Sequence, residues 1–289
     1  MEQNKPIQWF PGHMARTRRK IREVLPQIDL AVELLDARIP LASHNPDLEG
    51  ILSGKPRLVI LNKADMANEA ATSRWIAFYK RQGIAALPVD CKSGRGAAGF
   101  VPAMREVIAD KIAAWEKKGM VNRPVRAMVV GIPNVGKSSF INRLAKGGKA
   151  KVEDRPGVTR ENRWFAVENG ALLLDTPGVL WPKFEDQQVA RHLAYTGAIR
   201  DEILDGEELA CGLLDLLAAE YRDLLAERYK LTEEDLLACA DSWDLLCAIG
   251  KKRGMLMSGG RVHTERAAAM LLDEFRGAKI GRITLEEPV

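Results

Sequence analysis

The chain has 289 residues, 46% hydrophobic and 28% charged, with a formal net charge of +4. That is the profile of a globular protein with room for one α/β domain and a smaller one. No apolar run reaches the roughly 18 residues of a membrane span, and Met1-Glu2-Gln3-Asn4-Lys5 lacks the apolar core of a signal peptide. No membrane partner and a cytoplasmic location are expected. Cys91, Cys211, Cys239 and Cys247 form neither a CxxC pair nor a disulfide-like framework, which fits a reduced compartment.

In chain order, the first predicted element is a helix over 14–25 carrying Arg16, Arg18, Arg19, Lys20 and Arg22. A second cationic cluster, Lys251, Lys252, Arg253 and Arg261, lies in a Gly-rich stretch near the other end. Clusters at both ends suit a polyanionic partner; a solvated helix face and a flexible loop are the alternative. β-rich apolar runs at 30–35, 58–61, 85–89, 125–130 and 171–174 alternate with helical stretches at 68–81, 98–117 and 137–145. This alternation predicts a parallel sheet with crossover helices, and 117–124 reads as a connector between its halves. A run at 163–167 should pair with 171–174 across Asn169-Gly170, a hairpin signal.

After Pro182 the pattern is helical. Leu209, Leu213, Leu216, Leu217, Tyr221, Leu224 and Leu225 form one apolar stripe. Thr232 is a suitable N-cap for a helix whose first turn holds Glu233, Glu234 and Asp235, and a third helix is expected over 264–275. The predicted division is an α/β domain over 1–185 and a helical domain over 186–289.

The strongest motif is Gly131-Ile132-Pro133-Asn134-Val135-Gly136-Lys137-Ser138, between a predicted strand and a predicted helix. It matches the P-loop pattern G-x-x-x-x-G-K-[ST], in which backbone N–H groups surround a β-phosphate. Lys137 would neutralise β- and γ-oxygens and Ser138 would ligate Mg²⁺, with Ser139 beside it on the same helix N-terminus. Asp175-Thr176-Pro177-Gly178 closes a later strand; Asp175 is expected to hold Mg²⁺ and Gly178 to bring its N–H to the γ-phosphate. Between them, Pro156-Gly157-Val158-Thr159 is either a loop whose threonine swings onto Mg²⁺ in the triphosphate state or an ordinary turn. Asn62-Lys63-Ala64-Asp65 ends the strand at 58–61. Asp65 would accept from guanine N1–H and the 2-amino group, donors that adenine lacks; Lys63 would pack along the base and Asn62 would tie this loop to the P-loop. Cys91-Lys92-Ser93 follows the next strand, where a loop covers the base with N–H groups, although Cys91 could equally be a small buried residue.

The base motif therefore precedes the phosphate motif, the reverse of the Ras-like order. The fold class this implies is a circularly permuted Ras-like P-loop GTPase domain followed by a small all-α domain. With Ile7-Gln8-Trp9-Phe10-Pro11-Gly12-His13-Met14, Asp36-Ala37-Arg38-Ile39-Pro40 and the Gly-Gly and basic residues of 255–266, the sequence resembles the YlqF/YawG family of circularly permuted GTPases over nearly its whole length. The resemblance implies GTP and GDP as ligands, Mg²⁺ as cofactor, and a role late in assembly of the large ribosomal subunit, with rRNA and ribosomal proteins as partners and rRNA as activator. A monomer is expected.

Ras-like proteins place a glutamine directly after D-x-x-G to orient the attacking water, and Val179 stands there instead. The resemblance suggests that another group supplies the missing contact. Asn134 matches an asparagine that coordinates K⁺ in related GTPases, and His13 could orient water if the N-terminus folds over the nucleotide. For His13 a surface or core position is the alternative. A GTP-binding RNA scaffold with negligible turnover is the competing function.

Overall fold

The computed structural model describes residues 13–145, 163–167, 170–181, 184–201 and 204–288, with side chains from Ala15 on. Strands β1 (Leu30–Asp36), β2 (Arg57–Asn62), β3 (Ala85–Val89), β4 (Val125–Val130), β5 (Trp164–Val167) and β6 (Ala171–Asp175) form a six-stranded sheet in the order β3-β2-β1-β4-β6-β5. All neighbours pair in parallel except β5, which runs antiparallel to β6 as the hairpin signal predicts. β1 is buried at every position, as a central parallel strand covered on both faces should be. From β1 the chain winds outward through β2 and β3, returns to β4 on the other side of β1, and winds away towards β6. The carboxyl ends of β1 and β4 therefore flank the topological switch point, where open α/β sheets bind ligands. The register puts Asp36 beside Asn62, and Asn62 beside Val89, so the loops that follow these strands share one edge.

The helices of this part are α1 (His13–Val24), α2 (Pro46–Ile51), α3 (Glu69–Arg81), α4 (Phe100–Val107), α5 (Ala109–Lys117) and α6 (Lys137–Leu144). α2 is absent from the sequence reading. Its start is a local signal: the Asn45 side chain accepts from the Asp47 N–H, and Pro46 occupies the first turn. The single helix expected over 98–117 is two, because the chain departs from helical geometry at the buried Ile108.

The helical part holds α7 (Gln187–Tyr195), α8 (Gly206–Glu220), α9 (Arg222–Tyr229), α10 (Glu233–Leu237), α11 (Ser242–Lys252) and α12 (Thr264–Arg276). α8 packs against α11 and α12, burying Leu209, Leu213 and Leu217 of the predicted stripe together with Leu214. The stripe does not run on as one helix. Tyr221 leaves helical geometry, and its hydroxyl donates to the Thr284 carbonyl at 2.7 Å while accepting the Thr284 N–H at 3.2 Å. Thr232 is the N-cap expected, in a capping box with Asp235, but its helix is only five residues long and α11 starts afresh at an Asp241 cap. At the end of α12, Arg276 donates to the Ala194 and Tyr195 carbonyls at 2.8 and 3.0 Å, satisfying the last turn of α7.

The chain forms two compact units, Glu185–Leu285 and an α/β unit that ends at Phe184 and also takes in the last residues from Glu286 on. The sequence reading places those last residues with the helices. The reason for the difference is specific pairing: the Glu286 carboxylate accepts from the Leu41 N–H at 2.6 Å, and the Trp75 indole N–H donates to the Glu286 carbonyl at 3.0 Å. Among the described residues no helix is long and apolar enough to cross a membrane.

The connector at 117–124 joins what an unpermuted chain would leave as two ends. Buried Asp29 clasps it: its carboxylate meets Lys111 Nζ at 2.8 Å, Arg123 at 3.5 Å and the Arg126 N–H at 3.1 Å. Arg123 also lies over the Trp115 ring, 4.0 Å from its centroid. Replacing Asp29 by Ala should cost about 2 kcal/mol, because two cations and a backbone donor lose their acceptor. Urea unfolding followed by tryptophan fluorescence checks this; an unchanged midpoint would mean the clasp contributes nothing.

Candidate nucleotide-binding site

The loop after β4 turns through backbone conformations that most side chains avoid: Gly136 has φ 101° and Asn134 φ 57°. A Cβ on Gly136 would stand 2.3 Å from Asn62 Nδ2, so this position admits only glycine while Asn62 is in place. α6 starts at Lys137, with Phe140 and Ile141 holding it in the core, and its free N-terminal amides face the loop. Ser138 and Ser139 are exposed at this helix end, and Val135 is buried beneath it. The Lys137 ammonium folds back into the loop and donates to the Gly131 and Ile132 carbonyls at 3.1 and 2.8 Å. Burial lowers its pKa to about 8, against an opposing pull from Asp175.

Ser138 Oγ donates to Asp175 Oδ2 at 3.1 Å, while Asp175 Oδ1 is buried with no hydrogen-bond partner among the described residues. A hydroxyl and a carboxylate with one unsatisfied buried oxygen make a donor set suited to a hard cation that draws its other ligands from phosphate and water. No cluster of three His, Cys, Asp or Glu exists among the described residues to offer a dedicated metal cage. Gly178 lies against the P-loop so closely that a Cβ would be 2.6 Å from the Pro133 nitrogen. Val179, in the position a glutamine takes in Ras-like proteins, is 1% exposed, and its N–H donates to the Gly131 carbonyl at 3.2 Å.

The base loop is built from the ends of β1, β2 and β3. Asn62 Nδ2 donates to the Val135 carbonyl at 2.7 Å, binding this loop to the phosphate loop. Lys63, at φ 60°, sends Nζ to Asp36 Oδ2 at 2.9 Å. Asp36 also receives the Arg38 guanidinium at 2.8 and 3.0 Å. Burial alone would raise the Asp36 carboxyl, but Arg38 and Lys63 outweigh it and hold Asp36 well below the usual carboxylate range. Asp65 is half-exposed. In the next turn the Asp90 carboxylate takes the Lys92 and Ser93 N–H groups at 2.8 and 3.2 Å. Arg143 anchors the turn through the Cys91 carbonyl at 2.9 Å and the Lys92 carbonyl. Burial pushes the Cys91 thiol up to about 12, so it is a packing residue and not a nucleophile.

The structure thus brings Asn62, Lys63, Asp65, Cys91, Lys92, Asn134, Val135, Gly136, Lys137, Ser138, Ser139, Asp175 and Gly178 to the carboxyl edge of the sheet. Thr159 lies outside the described residues. His13 opens α1, and its side chain lies outside them as well. Arg143 is the support that motif reading misses, since nothing in a helix end announces a partner so far along the chain; the Asp36–Arg38 pair is local, within the Asp36-Ala37-Arg38-Ile39-Pro40 run.

A P-loop and a guanine-type base loop on one sheet edge, the second preceding the first in sequence, define a circularly permuted GTPase. Residues 126–237 match the family described as 50S ribosome-binding GTPase. Ribosome biogenesis GTPase A of Bacillus cereus is 47% identical over 98% of this chain and 94% of its own length. Mitochondrial ribosome-associated GTPase 1 of Xenopus tropicalis is 35% identical over 85% of this chain and 80% of its own. Among solved structures, GDP-bound TM YlqF aligns with TM-score 0.68 and 26% identity, covering 93% of this chain and 99% of that one. The chain belongs to the ribosome biogenesis GTPase A family: it is a GTPase that acts in ribosome biogenesis. Membership sets aside the scaffold with negligible turnover.

Lys137 gives a sign-definite pH effect. Burial lowers its pKa to about 8, so if Lys137 meets the phosphates as the P-loop motif implies, binding above that pH takes up a proton. GTP affinity should be flat from pH 6.5 to 7.5 and fall steadily above about 8, approaching tenfold per pH unit. Calorimetry in two buffers of different ionisation enthalpy reads the uptake directly; no uptake at pH 8.5 would contradict the pairing of a lowered Lys137 pKa with phosphate contact.

Proposed function

We propose that this chain binds the maturing large ribosomal subunit in its GTP form, late in assembly, and that contact with rRNA accelerates hydrolysis and so releases it. The observation that carries this reading is Val179: an apolar, buried side chain occupies the water-orienting position, so the chain depends on an added group for fast turnover. The charge pattern supplies the docking surface. α1 buries Thr17, Ile21 and Val24 and turns Arg16, Arg19, Lys20 and Arg22 outward, while Arg18 pairs with Asp47 at 2.9 Å. At the other end Lys251 and Arg261 are exposed beside Leu256 and Met257, which are 51% and 44% exposed. Lys252 and Arg253 are partly committed within the chain, to Asp235 at 2.7 Å and Glu274 at 3.6 Å. Outward cations with adjacent apolar side chains suit phosphate and base surfaces.

In this reading Asp65 accepts from the guanine N1–H and 2-amino groups, and the Cys91 amide faces the base oxygen. Lys137 exchanges its loop carbonyls for β- and γ-phosphate oxygens. Ser138, Asp175 and Thr159 would hold Mg²⁺, which when bound neutralises the phosphate oxygens and orients them. Gly178 offers its N–H to the γ-phosphate. Asn134 is the K⁺ ligand, and His13, at the start of the basic helix, is brought to the nucleotide by the subunit to orient water. The protein acts as a cytoplasmic monomer.

GTP turnover measured with and without purified large-subunit particles tests the reading. Stimulation of tenfold or more is expected, since activators of such GTPases act by orders of magnitude. Stimulation below about twofold would contradict rRNA as the activator.

A further inference from the structure

The loop from the end of β1 to α2 does more than connect. It is a rigid piece: the Asp36 N–H donates to Ser43 Oγ at 3.0 Å, Ser43 Oγ donates to the Ile39 carbonyl at 2.7 Å, and the Ser43 N–H donates to the same carbonyl at 2.9 Å. Ala37, Arg38, Ile39, Ala42, Ser43 and Asn45 are all buried. Asn45 is 0% exposed and has two separate tasks. Its Oδ1 accepts the Asp47 N–H at 3.0 Å as the cap of α2, and its Nδ2 donates to the Val179 carbonyl at 2.8 Å. The Val179 N–H is already bound to Gly131, so both polar groups of the residue after Gly178 are fixed, one by the P-loop and one by Asn45. A backbone with both groups engaged cannot turn without losing a buried hydrogen bond.

The far side of the same loop is gripped by the end of the chain. The Glu286 carboxylate accepts the Leu41 N–H at 2.6 Å and the Ala42 N–H at 3.1 Å. The tail is itself held by the Trp75 indole on the Glu286 carbonyl and by Arg74, whose guanidinium meets Glu287 at 2.5 and 2.6 Å. The chain leaves the α/β unit after Phe184, just beyond Val179, and re-enters it at Glu286. Among the described residues, the chain passes between the α/β unit and the helical unit at two places, and both lead to this loop, one through Val179 and one through Glu286.

We propose that Asn45 is the positioning residue of the phosphate-sensing turn, holding Gly178 where a triphosphate needs it, and that Glu286 sets Asn45 by gripping its loop. The proposal rests on the reading of 175–178 as the γ-phosphate sensor. It makes the GTP-against-GDP preference of the site depend on the last residues of the chain.

The test uses the full chain with GDP and GTPγS, each titrated at equilibrium. Asn45→Ser keeps a side-chain oxygen that caps α2 but cannot reach Val179. Loss of that buried bond should weaken GTPγS about tenfold and leave GDP within twofold. Glu286→Ala should give the same signature, about threefold to fivefold. Equal losses for both nucleotides, or none, in Asn45→Ser would overturn the positioning role; an Asn45 effect without a Glu286 effect would overturn the part given to the tail. Asp175→Asn separates this from the reading beneath it. If Asp175→Asn shifts the GTPγS-to-GDP ratio and Asn45→Ser does not, the proposal alone fails; if neither shifts it, the assignment of the sensor fails.

Discussion

The side-chain amide of Asn62 donates to the carbonyl of Val135 at 2.7 Å, in space that exists because residue 136 has no Cβ. One bond thus joins the loop after β2, which carries the N-K-x-D motif, to the P-loop after β4, although the two lie on different strands and in inverted order along the chain. The sheet makes the bond possible. β2 and β4 both flank β1 with their carboxyl ends at the same edge, so the permutation alters the connections and leaves the edge intact. The Asp29 clasp on the connector is the local consequence: a joint that Ras-like chains do not need is closed here by ion pairs and a cation over Trp115.

Around that bond the polar side chains are mostly paired within the chain. Lys137 spends its donors on Gly131 and Ile132, and Asp36 is matched by Arg38 and Lys63. The exceptions are informative. Among the described residues, Asp175 Oδ1 and Asn62 Oδ1 are buried side-chain oxygens without hydrogen-bond partners. Preorganised polar groups of this kind contribute because little rearrangement is required when the ligand arrives. Val179 is the opposite case: its burial stabilises the turn and removes any chance of orienting water from that position.

Much of this was legible in the sequence, for stated reasons. Apolar runs set the strands, and the P-loop and N-K-x-D motifs have backbone geometries that few sequences satisfy, as Gly136 and Lys63 show. The helix breaks at Ile108 and Tyr221 were not legible, because both residues continue the helical periodicity; Tyr221 is drawn out of it by its bonds to Thr284. α2 could have been found from Asn45-Pro46, a cap followed by proline. The roles of Arg143 and Glu286 could not, nor could the Lys63 contact of Asp36, since each depends on a partner brought close only by the fold. Glu286 in particular reads as one more charge in a polar tail.

The central claim is that the base loop and the phosphate loop act as one body through Asn62. Calorimetric titration of Asn62→Ala with GDP and, separately, with pyrophosphate tests it most directly. The account predicts that both affinities fall, because a residue on the base loop holds the phosphate loop in shape. A variant that loses GDP affinity yet binds pyrophosphate as the unaltered chain does would contradict it.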